Sequence, residues 1–333
     1  MKLGEIFCDG MIFQANKPIR IFGNGKGHAS AKFLGETGSV DSDGGRWVIE
    51  LKARPYGGPF ELEVELDGQT TVIHDVMIGE VVLFSGQSNI QFRMEEEITP
   101  PEDYADDENL RIFVSERIEQ GEPLTPADGW VKCRRENIPK WSAVAYLTGC
   151  EARNAGVPTV GVVVCSQGAS VIQSWIDDRV FVGSALELPD EKLHRDSTSP
   201  NYSRWNAPGR LYHFMLERLM PYSFGNVVWY QGESNTSPDE GRIYTELLAM
   251  MIENWRKEFR DDHLPFTVVQ ISDFTDTEGW RLVQSAQLAA EDAIADVVCV
   301  KSADVCEKKM IHPVTKGPLA VRIFAAMRGK HTI

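Results

Sequence analysis

Residues 1 to 15 contain no apolar run of signal-peptide length, and no stretch of the chain approaches the roughly 20 apolar residues needed to span a bilayer. A leader and a membrane anchor are therefore not expected, and the chain reads as cytoplasmic. Positive charge is also scarce: 34 Lys and Arg stand against 49 Asp and Glu, a formal net charge of −15. That balance repels phosphate backbones and anionic lipid, which excludes nucleic acid and membrane surfaces as expected partners. The six cysteines (Cys8, Cys133, Cys150, Cys165, Cys299 and Cys306) show no CxxC or Cys/His spacing, and several sit in apolar strand-like runs. They read as reduced core thiols rather than as disulfides or zinc ligands, and no metal site is expected. Internal repeats and low-complexity tracts are absent as well.

What is present is enough apolar residue for a full core: 333 residues, 42% hydrophobic and 25% charged, a length that suits two domains. Residues 1 to 78 read as a small β-sandwich. Phe60, Leu62, Val64 and Leu66 alternate with Glu61, Glu63 and Glu65, then Asp67-Gly68 turns the chain into Thr71-Val72-Ile73. Alternation broken by Asp-Gly is a strong hairpin signal. Short strands are also expected over 18–22 and 46–51, separated by Gly-rich turns.

From residue 79 to 333 the pattern becomes α/β: apolar strands separated by long helical stretches, as in a parallel sheet covered on both faces. Strands are predicted over 80–85, 159–165, 226–230, 265–271 and 296–301. Ile243, Leu247, Leu248, Met251, Ile252 and Trp255 recur at helical spacing behind Ser237-Pro238-Asp239, which predicts an amphipathic helix. Residues 95 to 125 are acidic, Pro-rich and weakly periodic, and read as a long surface excursion.

Open parallel sheets bind ligands outside the carboxyl ends of their strands, so the residues just after each predicted strand carry the chemistry. They form a polar, Gly-rich set: Gly86-Gln87-Ser88-Asn89, Ser166-Gln167-Gly168-Ala169-Ser170, Gln231-Gly232-Glu233, Ser272-Asp273 and Ser302-Ala303-Asp304. Ser88 falls at a strand-to-helix turn, where exposed amides favour negative charge; it suits a nucleophile, and an N-cap serine has the same pattern. Gly168 lets its amide approach a reacting oxygen, or makes a tight turn. Gln231 or Asn235 could supply a side-chain amide donor, or be a satisfied turn residue. His312, before Pro313 and the periodic Leu319, Ile323, Phe324 and Met327, lies on a loop, where most of the seven histidines would be plain surface residues. A serine, a late histidine and such donors are what acyl transfer requires.

With these residues in chain order, the sequence resembles the sialate O-acetylesterase and acetylxylan esterase-related family of SGNH hydrolases. The resemblance covers nearly the whole chain. It is carried by Ile6-Phe7-Cys8-Asp9-Gly10-Met11-Ile12-Phe13-Gln14, by Gly79 to Asn89, by Trp229-Tyr230-Gln231-Gly232-Glu233-Ser234-Asn235, by Leu264-Pro265-Phe266 with Val269-Gln270, and by His312-Pro313 with Lys316. The resemblance implies a three-layer α/β/α hydrolase domain, in which Ser88 attacks an acetyl ester and His312 is general base and then general acid. The oxyanion would be held by the amides of Ser88 and Gly168 and by a side-chain amide, that of Gln231 ahead of Asn235. No metal or organic cofactor is implied.

Two positions depart from the family pattern. An acidic residue is usual two or three positions before the histidine, where this chain has Met310 and Lys309. Glu233 is the preferred replacement as third triad member, with Asp304 and Glu307 as alternatives, and a Ser–His dyad or a catalytically weakened, carbohydrate-binding homologue as the further readings. Gln284 stands where the family often carries arginine, which bears on recognition of an anionic sugar. For a sialate carboxylate, Arg93, Arg204 and Arg210 are available. Trp175 matches a family tryptophan and is expected either to stack on a sugar or to fill the core. The expected partner is an O-acetylated carbohydrate, sialic acid first and acetylated xylan or another polysaccharide second; self-association into a homo-oligomer stays open.

Overall fold

The computed structural model describes residues 1–115, 129–193 and 205–330. Arg204 and the 116–125 part of the acidic segment lie outside the described residues.

The chain opens with strands β1 (Lys2–Leu3), β2 (Ile12–Gln14), β3 (Ile19–Phe33), β4 (Glu36–Leu51), β5 (Gly57–Leu66) and β6 (Gln69–Gly86). β3 pairs antiparallel with β1, β4 and β5, and β5 pairs antiparallel with the first half of β6. The Asp67-Gly68 hairpin forms as predicted, with Leu66 opposite Gln69 and φ of 51° and 81° at the two turn residues, as the right-handed twist of the flanking strands requires. The short strands expected at 18–22 and 46–51 are the paired ends of a much longer hairpin, Ile19 facing Leu51. Glycines taken for turn formers lie inside it. A Cβ at Gly23 would sit 2.1 Å from the Lys2 carbonyl oxygen, so this glycine serves close strand approach rather than chain reversal.

β6 does not stop at the expected boundary between 78 and 79. Its second half enters a parallel sheet with β7 (Asp107–Val114), β8 (Val131–Cys133), β9 (Val160–Ser166), β10 (Asn226–Tyr230), β11 (Phe266–Val269) and β12 (Val297–Val300). The order is β8-β7-β9-β6-β10-β11-β12, parallel except for β8. All five predicted strands are present. β7 and β8 are additions to the expected set; β7 falls within the 95–125 segment, which reads as a surface excursion. Only Leu110 to Phe113 is a short apolar run, and it is interrupted by Arg111. The Arg111 side chain is buried and donates to the carbonyls of Gly10 (2.6 Å) and Asp75 (2.9 Å) and to the Asp75 carboxylate (3.0 Å). A buried cation is tolerated in the strand because the turn before β2 and the first half of β6 supply its acceptors.

Alternate residues of the central strands feed two cores, as expected for a sheet covered on both faces. Val81, Leu83, Val227, Trp229 and Val268 pack on one side with the helix Tyr244–Phe259, and Val82, Phe84, Val228, Tyr230 and Val269 on the other with the helix Gly317–Lys330. The predicted amphipathic helix is entered through Pro238–Arg242, where Ser237 Oγ accepts from Glu240 N (3.1 Å). Among the described residues all six cysteines are free thiols, and no helix is long and apolar enough to cross a membrane.

Candidate active site

Register brings the site together. Gly86 pairs with Ser166 on one neighbouring strand and with Tyr230 on the other, so β9, β6 and β10 end level with one another. The segments that follow, around Gly168, Ser88 and Gly232, are thereby side by side at the carboxyl edge. Gly86 has φ 135°, and a Cβ there would lie 2.1 Å from the Tyr230 carbonyl oxygen; only glycine allows this approach.

Ser88 opens a single helical turn, Ser88–Gln91, directly after β6. Its amide is among the first-turn donors that a helix cannot satisfy internally. Its Oγ lies 2.7 Å from His312 Nε2, although 224 residues separate the two. For the hydroxyl to donate, Nε2 must be unprotonated. Burial holds the His312 pKa below the ordinary imidazole value, the Lys316 cation lowers it further, and Glu96 opposes both. The ring is therefore poised as a neutral proton acceptor.

A buried polar chain lies behind this pair. Asn89 Nδ2 donates to Glu233 Oε1 (2.6 Å) and to the Ile311 carbonyl (3.0 Å), while Asn89 Oδ1 accepts from Lys316 Nζ (2.7 Å). Burial pushes the Glu233 carboxyl up to about 7, against a hydrogen bond from its own backbone amide, the hydrogen bond from Asn89 and the Lys316 charge; among the described residues Glu233 Oε2 has no side-chain hydrogen-bond partner. Burial likewise brings the Lys316 ammonium down to about 8. Its Nζ is 5.0 Å from the centre of the Phe92 ring and 5.5 Å from that of Tyr230.

The other expected site residues have different partners. Glu233 bonds Asn89, not His312. Asp304 makes a two-pronged ion pair with Arg322 (2.5 and 2.6 Å), and Glu307 accepts from the Thr315 amide and hydroxyl. Among the described residues no carboxylate hydrogen-bonds His312. Gln231 Nε2 donates to the Ser170 carbonyl and to Asn235 Oδ1, both at 2.8 Å, and Asn235 Nδ2 donates to Gln173 and Glu240, both at 2.8 Å. Both amides are buried and engaged in tying β9 to β10. Gly168 is adjacent to Ser88, since a Cβ on it would be 3.8 Å from Ser88 Cβ, and its amide donates to Gln91 Oε1 (3.0 Å). Trp175 is fully buried, edge-on to Trp229 with its indole N–H on Ser170 Oγ (3.0 Å), so it presents no face to a sugar. Of its two expected places, it takes the core. Arg93 is half-buried and paired with Glu95 (3.1 Å), and Gln284 donates to the carbonyls of Ile271 and Ser272, both at 3.1 Å.

Asn89 and Lys316 lie in the segments that carry the family resemblance, yet sequence gives them no role. The only sequence signal is position: one follows Ser88, the other lies four residues after His312. Among the described residues one cluster has metal-like composition, Asp177, Asp178 and His213. Its groups are already paired: Asp177 with Arg179, and His213 with Asp178 and Glu217 at 2.9 Å each.

Fold and site together define a class: mixed α/β proteins that carry their candidate site at the carboxyl edge of a parallel sheet, a fold shared with a carbohydrate acetylesterase of known structure. Within it, the chain belongs to the SASA family, described as carbohydrate esterase, sialic acid-specific acetylesterase, whose family model matches residues 79–322. The chain is 25% identical over 328 residues to the sialate O-acetylesterase of Homo sapiens and 26% over 347 residues to that of Mus musculus. Each alignment covers 87% of this chain but only 61% and 64% of the relative, so the chain spans about three fifths of the length of these curated relatives. A carbohydrate acetylesterase from Xanthomonas citri matches in structure with a TM-score of 0.82 and 26% identity, over 100% of this chain and 76% of the other. A protein of Arabidopsis thaliana shares the fold at TM-score 0.51 and 18% identity, over 75% of this chain and 98% of that one.

Proposed function

We propose that the protein is a carbohydrate O-acetylesterase that removes acetyl groups from O-acetylated sialic acid through an acetyl-Ser88 intermediate. The observation that carries this reading is the 2.7 Å contact between Ser88 Oγ and His312 Nε2. Family membership and the names of its relatives support the substrate class.

In the proposed reaction, His312 Nε2 takes the hydroxyl proton as Ser88 Oγ bonds to the acetyl carbon. The carbonyl electrons move onto oxygen, which the amides of Ser88 and Gly168 receive; the Gly168 amide exchanges its bond to Gln91 for one to the oxyanion. Each such donor is worth about 2.7–4 kcal/mol of barrier. Collapse breaks the bond to the sugar oxygen, which leaves with the proton from His312. Water then attacks the acetyl-enzyme, His312 accepts its proton, and acetate departs with Ser88 Oγ reprotonated. No step calls for a metal or organic cofactor. In this reading Ser88 and His312 act as a dyad, and Gln231 and Asn235 hold the sheet edge rather than the oxyanion. Residues 79–333 would form the three-layer SGNH-type hydrolase domain, and residues 1–78 a β-sandwich that buttresses it.

A second reading, a neutral acetylated polysaccharide such as xylan, is favoured by Gln284, a neutral amide bonded to backbone carbonyls where a cation would suit a sialate carboxylate. Acetate release from O-acetylated sialic acid and from acetylated xylan, each with wild type and Ser88→Ala, decides between them. The sialate reading requires serine-dependent release with the sialate preferred.

A further inference from the structure

A base that must take a proton from a nucleophile about 3 Å away needs its ring held in place, and in three-membered triads a carboxylate on Nδ1 does this. Among the described residues His312 has no such carboxylate. We propose that Lys316 is the positioning residue of this site: through Asn89 it clamps the His312 loop onto the Ser88 turn, filling the role of the missing third triad member. The inference rests on the dyad reading above.

The placement of the bonds supports it. Asn89 directly follows the nucleophile, and Ile311 directly precedes the base, so the 3.0 Å bond between them joins the chain on either side of the reacting pair. Asn89 has its oxygen on a cation and its nitrogen on a carboxylate, which fixes the amide in one orientation. The Lys316 amide also donates to Glu97 Oε1 (2.9 Å), tying the stretch after His312 to the segment after the Ser88 helix. Lys316 and Asn89 are both fully buried. A methionine at position 316 would fill much of the same volume without the desolvation cost of an ammonium, so the cation is better explained by function than by stability.

The charges around the base set its protonation. Lys316 and Glu96 act on His312 with opposite sign, while Cys306, Glu233, Glu307 and Glu97 act on Lys316. Removing the Lys316 charge leaves Glu96 to favour the imidazolium, so the ring becomes more basic.

The test is the titration of His312 by NMR, assigned with His312→Asn, in wild type and Lys316→Met, alongside acetate-release kinetics. The clamp predicts that Lys316→Met moves the His312 midpoint upward by about half a pH unit or more. It also predicts that kcat falls about ten- to a hundredfold with KM little changed, the effect of a small misplacement of the base. If Lys316→Met folds poorly, Glu233→Gln/Lys316→Met removes both buried charges together and must show the same midpoint shift and kcat loss. An unmoved midpoint, or full recovery of kcat in the double variant, would overturn the proposal. The titration needs no turnover. If Ser88→Ala releases as much acetate as wild type, the esterase reading fails while the clamp is still tested.

Discussion

Glu233 is the most heavily perturbed carboxylate of the site, and its replacement by glutamine gives a quantitative test. Burial raises its pKa from an ordinary 4.5 to about 7. A carboxyl with a raised folded-state pKa binds its proton more tightly in the folded protein. Its stabilising contribution is fully present below pH 4.5 and is lost as pH rises through about 7. Glutamine mimics the protonated acid, can still accept from Asn89, and does not titrate. Each pH unit between the unfolded and folded pKa corresponds to about 1.36 kcal/mol. Between pH 5 and pH 8.5 the wild type should therefore lose about 2 to 3 kcal/mol of stability relative to Glu233→Gln. The assay is urea denaturation of both proteins at about pH 5, 7 and 8.5, with equal m-values checked first. Parallel pH profiles, differing by less than about 0.5 kcal/mol across the range, would show that Glu233 ionises as freely as an exposed carboxylate, and would refute the argument from burial.

The acid limb of kcat/KM for ester cleavage should fall below the ordinary imidazole value of 6.5, because burial and Lys316 keep His312 neutral and the proposed reaction uses the neutral ring as its base; a limb above 6.5 in the pH–rate profile contradicts this. Gly86→Ala should destabilise the fold by more than about 3 kcal/mol, since its Cβ would lie 2.1 Å from the Tyr230 carbonyl oxygen at a positive φ. Denaturant melts check this, and a loss below about 1 kcal/mol would mean that the strand ends shift apart without cost.

Much of this arrangement could be read from sequence, in particular wherever one kind of residue dominated a short window. The continuous apolar runs 227–230 and 160–165 mark two of the central strands, and Asp67-Gly68 marks the hairpin. β7 escapes because Arg111 breaks its run, and the atoms that make a buried arginine acceptable, the carbonyls of Gly10 and Asp75, come from distant segments. The length of β6 is hidden for a related reason. One strand serves two sheets, and the change of partner at Gly79 looks like a domain boundary from sequence alone. Ser88 and His312 could be placed because each follows or precedes a clear element. The partners of Glu233, Gln231 and Asn235 could not, since a side-chain amide or carboxylate gives no local sign of which distant group will satisfy it. Trp175 has two readings at the sequence level, and the packing of Trp229 against it decides for the core.

The proposed reaction requires that Ser88, activated by His312, cleave a carbohydrate acetyl ester. The most direct measurement is acetate release from O-acetylated sialic acid by the wild-type protein and by Ser88→Ala, with thermal unfolding of both as the control. Release by the wild type, its loss in Ser88→Ala, and stabilities within about 1 kcal/mol of each other are expected. Equal release by the two proteins would contradict the proposed reaction.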